Sequence, residues 1–304
     1  MKLPANLVCA VSLLAAGQAL GARCVDDVHM KSPDAVITAC TAEIQKGVGA
    51  RVDLSTDYVA RSHAYSQKGD WERALTDLNQ ALLISPYFWG ALVNRAVLYT
   101  NEGQLDLALK DYNDAIIFNS NIPEAYLYRA VVYDKKGDLD HAIADAAEAV
   151  RRNPKYLAAH LFLVDHYLTA GKPEASTQEA TAALALGAKP ATLLNERCWT
   201  RAVAGIEPKL ALADCDQALA LAPKNASYLD SRGLVDLRLH DSDAAIKDYS
   251  TALAGNPSLP TSLYGRSLAR RRKGDTTGAD ADAASAVAMD KTVAAKFASW
   301  GLKP

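Results

Sequence analysis

Two cysteines, Cys198 and Cys215, stand near the ends of the segment RCWTRAVAGIEPKLALADC. Cysteine thiols can carry redox chemistry, bind a metal ion or form a disulfide. A redox pair usually has the arrangement C-x-x-C, which does not occur in this sequence. A zinc site needs paired ligands at short spacing, whereas the six histidines are scattered. The residues therefore favour a structural disulfide, and we predict no metal site and no cofactor.

Arginine and aspartate also recur at a fixed spacing, which could suggest a catalytic pair. Five arginines are followed sixteen residues later by an aspartate, and Arg197 precedes Asp214 by seventeen. The five pairs are Arg61 with Asp77, Arg95 with Asp111, Arg129 with Asp145, Arg232 with Asp248, and Arg266 with Asp282. Six copies of one catalytic site in a single chain would be unusual for an enzyme. We therefore predict that the pairs are structural ion pairs or hydrogen-bonded pairs repeated along the fold. Leu163 and Glu179 interrupt the pattern in the fourth copy, which predicts a local irregularity or bend there.

The first residues have the layout of a secretory signal. Lys2 precedes a short apolar run, and small residues follow, so we expect a signal peptide over residues 1–22 with cleavage after Ala19 or Ala22. An uncleaved anchor is the alternative, but the run is short for a membrane span. Neither Cys9 nor Cys24 follows the small residue that bacterial lipidation requires. The expected location is periplasmic or secreted.

The other cysteines fit an oxidising compartment. With Cys9 inside the signal peptide, four remain, and an even number in an exported chain suggests two disulfides. Four cysteines allow three pairings, of which sequence proximity favours Cys24–Cys40 and Cys198–Cys215. The segment SPDAVITACTAEI reads as a helix opened by Ser32 and Pro33, so residues 24–54 are predicted to form an N-terminal cap.

Composition restricts the class of protein. Half of the residues are hydrophobic, only 7% are aromatic, and alanine is abundant, which favours closely packed helices. The formal charge of −2 argues against general affinity for nucleic acid or anionic membranes. We expect no nucleic acid partner and no membrane insertion after signal cleavage.

A repeat with a period of 34 residues covers most of the chain. NRAVLYTNEGQLDLALKDYNDAIIFNS, from Asn94, returns as YRAVVYDKKGDLDHAIADAAEAVRRNP, from Tyr128. Each copy has an apolar helical stretch that usually runs to a turn glycine, and a second stretch that usually stops near a proline. One slot holds alanine in all seven copies: Ala81, Ala115, Ala149, Ala183, Ala218, Ala252 and Ala286.

This pattern resembles the tetratricopeptide repeat (TPR) family. The resemblance implies an all-α fold, a right-handed TPR superhelix (α-solenoid) of about seven helix-turn-helix repeats with N- and C-terminal capping helices. The predicted repeats are 55–88, 89–122, 123–156, 157–190, 191–225, 226–259 and 260–293, followed by a C-terminal cap over 294–304 that carries Phe297 and Trp300. His240 replaces the turn glycine in the sixth copy.

Alignment of the copies locates the cysteine pair. Cys198 falls in the small close-packing slot that Ala96 fills, and Cys215 falls where Tyr112 is expected to point into the core. Both slots face the interior of one hairpin, so we predict a disulfide between its two helices.

The resemblance also implies a concave partner-binding surface lined by the first helix of each repeat. Transferred copy by copy, it selects Asn94, Val97, Tyr128, Val131, Phe162, Asp165 and Trp199 as candidate partner-binding residues. Such a surface would suit an extended or helical peptide. The alternative is that the aromatic residues simply pack between neighbouring helices.

A basic cluster near the C-terminus is a second candidate. It consists of Arg238, Arg270, Arg271, Arg272 and Lys273, and we include Arg238, Arg271 and Arg272 among the candidate binding residues. The cluster could hold an acidic segment or an anionic polymer. Alternatively, its cations lie at helix C-termini, where the helix dipole favours them.

No sequence motif supports catalysis, since the chain has no nucleophile elbow, phosphate-binding loop or H-E-x-x-H segment. We therefore predict a non-catalytic scaffold or adaptor of the cell envelope that binds a protein or peptide. A peptidoglycan- or polysaccharide-binding protein and a regulatory subunit of a separate envelope enzyme are the alternatives. The sequence does not predict the oligomeric state.

Overall fold

The computed structural model describes residues 24, 32–47, 51–188 and 190–303. These residues form sixteen α-helices and no β-strand. The predicted signal peptide, residues 1–22, lies outside the described residues. Among the described helices, none combines the length and hydrophobicity of a membrane-spanning segment.

The helices are α1 (Pro33–Lys46), α2 (Arg51–Gln67), α3 (Trp71–Ile84), α4 (Trp89–Asn101), α5 (Leu105–Phe118), α6 (Pro123–Lys135), α7 (Leu139–Arg152), α8 (Leu157–Thr169), α9 (Pro173–Ala185), α10 (Pro190–Ala204), α11 (Pro208–Leu221), α12 (Ala226–Arg238), α13 (Ser242–Gly255), α14 (Pro260–Arg272), α15 (Thr276–Met289) and α16 (Val293–Ser299). From α2 to α15 they alternate as the first and second helices of seven hairpins. The fold is the all-α TPR type that the repeat predicts, while the proposed domain limits stay a prediction.

Aspartate caps begin several of the second helices. The carboxylate of Asp70 accepts a hydrogen bond from the main-chain N–H of Arg73, and Asp138 does the same for His141. Asp241 and Asp275 repeat this arrangement at the starts of α13 and α15. A side chain at this position satisfies a backbone donor that the helix itself leaves unpaired.

The turn before α13 shows how the fold tolerates a departure from the repeat. Gly103, at the turn of the second hairpin, has a φ of 75°, and His240 adopts a φ of 63° at the same place in the sixth. Few side chains occupy this left-handed region without strain. The turn geometry is thus kept although the glycine is not.

The invariant alanine slot explains how closely the helices approach. All seven alanines, from Ala81 to Ala286, are completely buried. A longer side chain at this slot would force the helices apart or strain the core. The slot therefore allows close packing of the helices within each unit.

The contacts divide the chain into two compact units. The first ends at Phe162 and the second begins at Leu163, so α8 supplies residues to both. The core of the first unit includes Leu78 and Tyr112. That of the second includes Leu234 and Tyr249 and extends to the C-terminal helix α16.

In the second unit, the ring of Tyr249 packs directly against two glycines. Its ring comes from α13 and faces Gly233 on α12 and Gly265 on α14. A Cβ atom at Gly233 would lie 2.9 Å from the ring, and one at Gly265 would overlap it. Glycine at these two positions is what allows a tyrosine to enter between the helices.

At the N-terminal side, α1 packs against α2. Ser32 caps α1 and Pro33 is its first residue, as the sequence predicts. Cys40 on this helix is completely buried and is bonded to Cys24. The disulfide attaches Cys24 to a small core that also contains Ala60 and Ala64 of α2.

Candidate functional site

The repeated arginines and aspartates form six two-point ion pairs. In each pair, Nε and Nη2 of the arginine donate to the two carboxylate oxygens of the aspartate. For Arg95 and Asp111 the distances are 2.7 and 2.9 Å. The other pairs are Arg61–Asp77, Arg129–Asp145, Arg197–Asp214, Arg232–Asp248 and Arg266–Asp282. Each links the two helices of one hairpin, and we call the set the Arg–Asp ladder.

The third nitrogen of each ladder arginine reaches a helix that precedes its own hairpin. Nη1 of Arg95 donates to Oδ1 of Asn79 at 2.9 Å, and Nη1 of Arg129 donates to Oδ1 of Asn113 at 2.6 Å. The corresponding acceptors of the other arginines are Thr41, Thr181, Asp216 and Ser250. Five guanidiniums therefore join their own hairpin to the preceding hairpin, and that of Arg61 joins the first hairpin to α1. The sequence predicts the aspartate partner but not this second link.

The fourth hairpin lacks the ladder pair. Leu163, at the arginine position, is completely buried. On the same helix, the main-chain carbonyl of Val164 accepts a hydrogen bond from the hydroxyl of Ser176 at 2.7 Å. Ser176 occupies a slot that is alanine in the other hairpins. A buried leucine and a hydroxyl bond thus stand where the other hairpins have an ion pair. The local irregularity or bend that the sequence predicts here stays a prediction.

The residue four positions after each ladder arginine differs between the units. In the first unit it is a tyrosine, and the Arg61 guanidinium lies 5.9 Å from the ring centre of Tyr65. In the second unit Arg201 and Arg270 occupy the slot, and each adds another cation to the ladder aspartate of its hairpin. Between them, Asp236 takes the slot and is 5% exposed. Burial, together with the nearby carboxylate of Asp248, raises the pKa of Asp236 to about 7.

The disulfide between Cys198 and Cys215 joins α10 to α11 within one hairpin. The two Cα atoms are 5.5 Å apart, and both residues are completely buried. They belong to the same core cluster as Leu234 and Tyr249. The pair is a structural link, as the alignment of the repeats predicts. No group of three or more His, Cys, Asp or Glu side chains in the described part of the chain is arranged to hold a metal ion.

The candidate binding residues of the first unit are mostly buried. Val97, Tyr128 and Phe162 are 7%, 8% and 3% exposed, and the Asn94 side chain donates to the carbonyl of Gly90 in its own helix. Val131 is half-buried. The buried residues fit the alternative that the sequence leaves open, in which they pack between neighbouring helices. Their contact with a partner stays a prediction.

The candidates of the second unit are more accessible. Asp165 and Trp199 are half-buried. The ring of Trp199 meets that of Trp300 edge to face, with 5.4 Å between the ring centres. Trp300 directly follows α16, so the C-terminal part of the chain reaches the first helix of the fifth hairpin.

The basic cluster is occupied by structural contacts. Arg238 donates to the carbonyls of Ala202 and Val203 at the end of α10, at 2.9 Å each. Arg272 donates to the carbonyl of Leu237 near the end of α12 at 2.7 Å. Both therefore act as cations at helix C-termini, the second interpretation of this cluster. The other members pair with acids: Arg270 with Asp282, Arg271 with Asp280, and Lys273 with Asp243.

The C-terminal segment, residues 293–303, lies on a surface formed by three first helices. Phe297 contacts Tyr264 of α14 with 5.0 Å between ring centres, and Trp300 contacts Trp199 of α10. Arg238 of α12 donates to the carbonyl of Trp300 at 2.5 Å. We call the surface that carries Trp199, Arg238 and Tyr264 the α10/α12/α14 face. The sequence predicts a cap over the last repeat, but not that the segment reaches two hairpins further back.

The tetratricopeptide repeat family model matches residues 59–126, 127–191 and 231–293, which together make up more than half of the chain. The chain belongs to the tetratricopeptide repeat family. Proteins of this family are generally non-catalytic scaffolds that bind proteins or peptides. No curated protein matches the sequence.

Solved TPR structures share the fold. The C-terminal part of a TPR protein from Cytophaga hutchinsonii is 15% identical and has a TM-score of 0.61, over 80% of this chain and 98% of that one. Pseudomonas aeruginosa PilF is 20% identical with a TM-score of 0.55, over 70% of this chain and 96% of that one. A TPR protein from Parabacteroides merdae is 15% identical with a TM-score of 0.53, over 81% of this chain and 98% of that one. At these identities the likeness concerns the fold alone.

Proposed function

We propose that this TPR protein is a non-catalytic scaffold or adaptor of the cell envelope that binds a protein or peptide on the concave surface formed by its first helices. The observation that carries the proposal is the α10/α12/α14 face, which already holds a peptide-like segment. Aromatic rings fix the side chains of that segment, and a guanidinium binds its main chain. In helix-in-groove recognition, a partner helix likewise places apolar side chains at spacings of three and four residues into a hydrophobic groove.

The pairing of the arginines and aspartates supports a binding role over a catalytic one. Catalytic acids, bases and anion-binding arginines need a substrate within reach. In the ladder, each arginine instead contacts an aspartate and a neighbouring hairpin. Turnover of any substrate by the purified chain at a useful rate would contradict this part of the proposal.

The two disulfides support a location outside the cytoplasm. Cys24–Cys40 and Cys198–Cys215 are both buried, and such links persist in oxidising compartments. With the signal predicted over residues 1–22, the proposal places the mature protein in the periplasm or outside the cell. N-terminal sequencing of the protein recovered from the envelope fraction checks this, because the mature chain should begin after Ala19 or Ala22.

The polymer-binding alternative receives less support than partner binding. It depends on a free basic cluster, whereas Arg238 and Arg272 donate to main-chain carbonyls. Binding to isolated cell-wall polymer that weakens steeply with salt would favour the alternative over our proposal.

The main test is a crosslinking pull-down from the envelope fraction with the full chain and two variants. Trp199→Ala removes an aromatic group of the proposed surface. Leu221→Ala is the matched control, because Leu221 is an exposed apolar residue of the same unit on a second helix. We expect at least one protein to be retained by the wild type and by Leu221→Ala but lost from Trp199→Ala. Equal retention of every protein by both variants would contradict the proposed surface.

A further inference from the structure

We propose that the α10/α12/α14 face is a reversible docking site for a short helical peptide, and that the C-terminal segment of the chain occupies it as an internal competitor. The partner is a peptide with two aromatic side chains three residues apart near the end of a helix, the pattern of Phe297 and Trp300. This inference rests on the proposed function and specifies its surface, the chemistry of its ligand and its regulation.

The side-chain part of the recognition is a row of aromatic rings. Tyr264 and Phe297 are 5.0 Å apart, Phe297 and Trp300 are 4.8 Å apart, and Trp300 and Trp199 are 5.4 Å apart, measured between ring centres. The two outer rings belong to the face and the two inner rings to the segment. Because residues three apart lie on one side of a helix, a partner helix can present both inner rings together.

The main-chain part of the recognition depends on Arg238. Its guanidinium donates to the carbonyls of Ala202, Val203 and Trp300. All three of these hydrogen bonds are with main-chain carbonyl oxygens. A carbonyl at a helix C-terminus is present in any helical peptide, so this contact accepts a partner without regard to its sequence. The aromatic row supplies the selectivity.

The segment has the form of a ligand that folds when it docks. Helix α16 has only seven residues and ends in a tight cap, in which Leu302 N–H donates to the carbonyl of Phe297 at 2.9 Å. A helix of this length is not stable alone in water, so its order depends on the face. Phe297 and Leu302 are 1% and 5% exposed, which shows how much of the segment that contact buries.

The tether makes the segment an effective but surmountable competitor. Only residues 290–292 separate α15 from α16. A short connection gives an effective concentration on the order of millimolar. A free peptide of the same intrinsic affinity is therefore excluded at micromolar concentration, whereas a larger partner with additional contacts displaces the segment.

The test uses the full chain and a labelled synthetic peptide of its own residues 290–304. We compare the wild type with the double variant Phe297→Ala/Trp300→Ala, in which the internal segment loses both rings. Fluorescence anisotropy should show at least tenfold tighter binding of the peptide to the variant than to the wild type. A peptide with the same two alanines should bind neither chain. Absence of binding to both chains, or equal binding to both, would overturn the proposal.

A second measurement does not depend on the variant folding well. Hydrogen exchange of the wild-type chain alone should show that the amides of Trp300 and Leu302 exchange faster than the buried amides of α12, because the segment opens while the hairpins stay folded. Exchange of the segment only together with α12 would make it a permanent cap and overturn the proposal. In that case a partner lost from Trp199→Ala but not from Leu221→Ala would still support the proposed function, so the two failures are distinguishable.

Discussion

In the first unit, the residue four positions after each ladder arginine is a tyrosine: Tyr65, Tyr99 and Tyr133. In the second unit the same slot holds Arg201, Asp236 and Arg270. The first unit thus places an aromatic face against each guanidinium, whereas the second places a further charge beside each carboxylate. One backbone arrangement thus accepts two chemically different side chains beside the ion pair, and the stability of the second unit should depend more on the charges of these side chains.

The largest expected difference concerns the ladder aspartates. Asp214 receives two guanidiniums, from Arg197 and Arg201, whereas Asp111 receives one, from Arg95. Removing one partner of a buried ion pair destabilises a protein by about 3–5 kcal/mol. We expect Asp214→Asn to lie at the upper end of this range and Asp111→Asn at the lower end, measured by urea unfolding. The reverse order would contradict the idea that the slot residue adds to the pair.

The second largest expected difference concerns the disulfide between Cys198 and Cys215, whose removal should weaken the second unit and not the first. Replacing Cys198 and Cys215 by alanine removes a link that the chain-entropy model values at about 3 kcal/mol. Hydrogen exchange should show reduced protection of the backbone amides in α10 to α13 and unchanged protection in α4 to α6. The matched control replaces Cys24 and Cys40, and should instead affect α1 and α2. Equal loss of protection in both units after the first change would contradict their separate cores.

The smallest expected effect is a pH dependence of stability that arises from Asp236 in the second unit. The pKa of Asp236 is raised from 3.8 to about 7, so the folded chain holds this proton more tightly than the unfolded chain. The contribution to stability is complete below pH 3.8 and is lost as the pH rises through about 7. Asp236→Asn should reduce this slope by removing the contribution of Asp236, and should stabilise the protein at pH 8 by about 1–2 kcal/mol after allowance for relaxation around the site.

The control for this change is Asp243→Asn, because the Asp243 side chain is 78% exposed. Thermal unfolding between pH 4 and 8 should give the same slope for the control and the wild type. An unchanged slope in Asp236→Asn would show that another group causes the pH dependence.

Features that repeat could be predicted from the sequence. The 34-residue period, the alanine slot and the sixteen-residue spacing each depend on contacts within one hairpin, where local alignment fixes the neighbours. For the same reason the sequence locates Cys198 and Cys215 on facing helices. The absence of the pair at Leu163 could also be predicted, because the other six copies establish which positions should hold arginine and aspartate.

Features that depend on contacts across several hairpins could not be predicted. The sequence places Phe297 and Trp300 on a terminal helix, but the reach of Trp300 to Trp199 and Arg238 depends on how three first helices align in space. Likewise, transfer from the family selects Tyr128 and Phe162 as surface residues although both are buried. Their exposure depends on the side chains of the adjacent hairpins, which a single repeat does not contain.

The second link of the ladder bears on how such a chain grows. Arg129 donates to Asn113, and Arg95 donates to Asn79 in the same way. If residues 89–122 were lost by unequal crossover, Asn79 would come to lie opposite Arg129, and an identical amide would accept the bond. Loss of this one 34-residue block would therefore conserve the hydrogen bond at the new junction without a compensating point mutation.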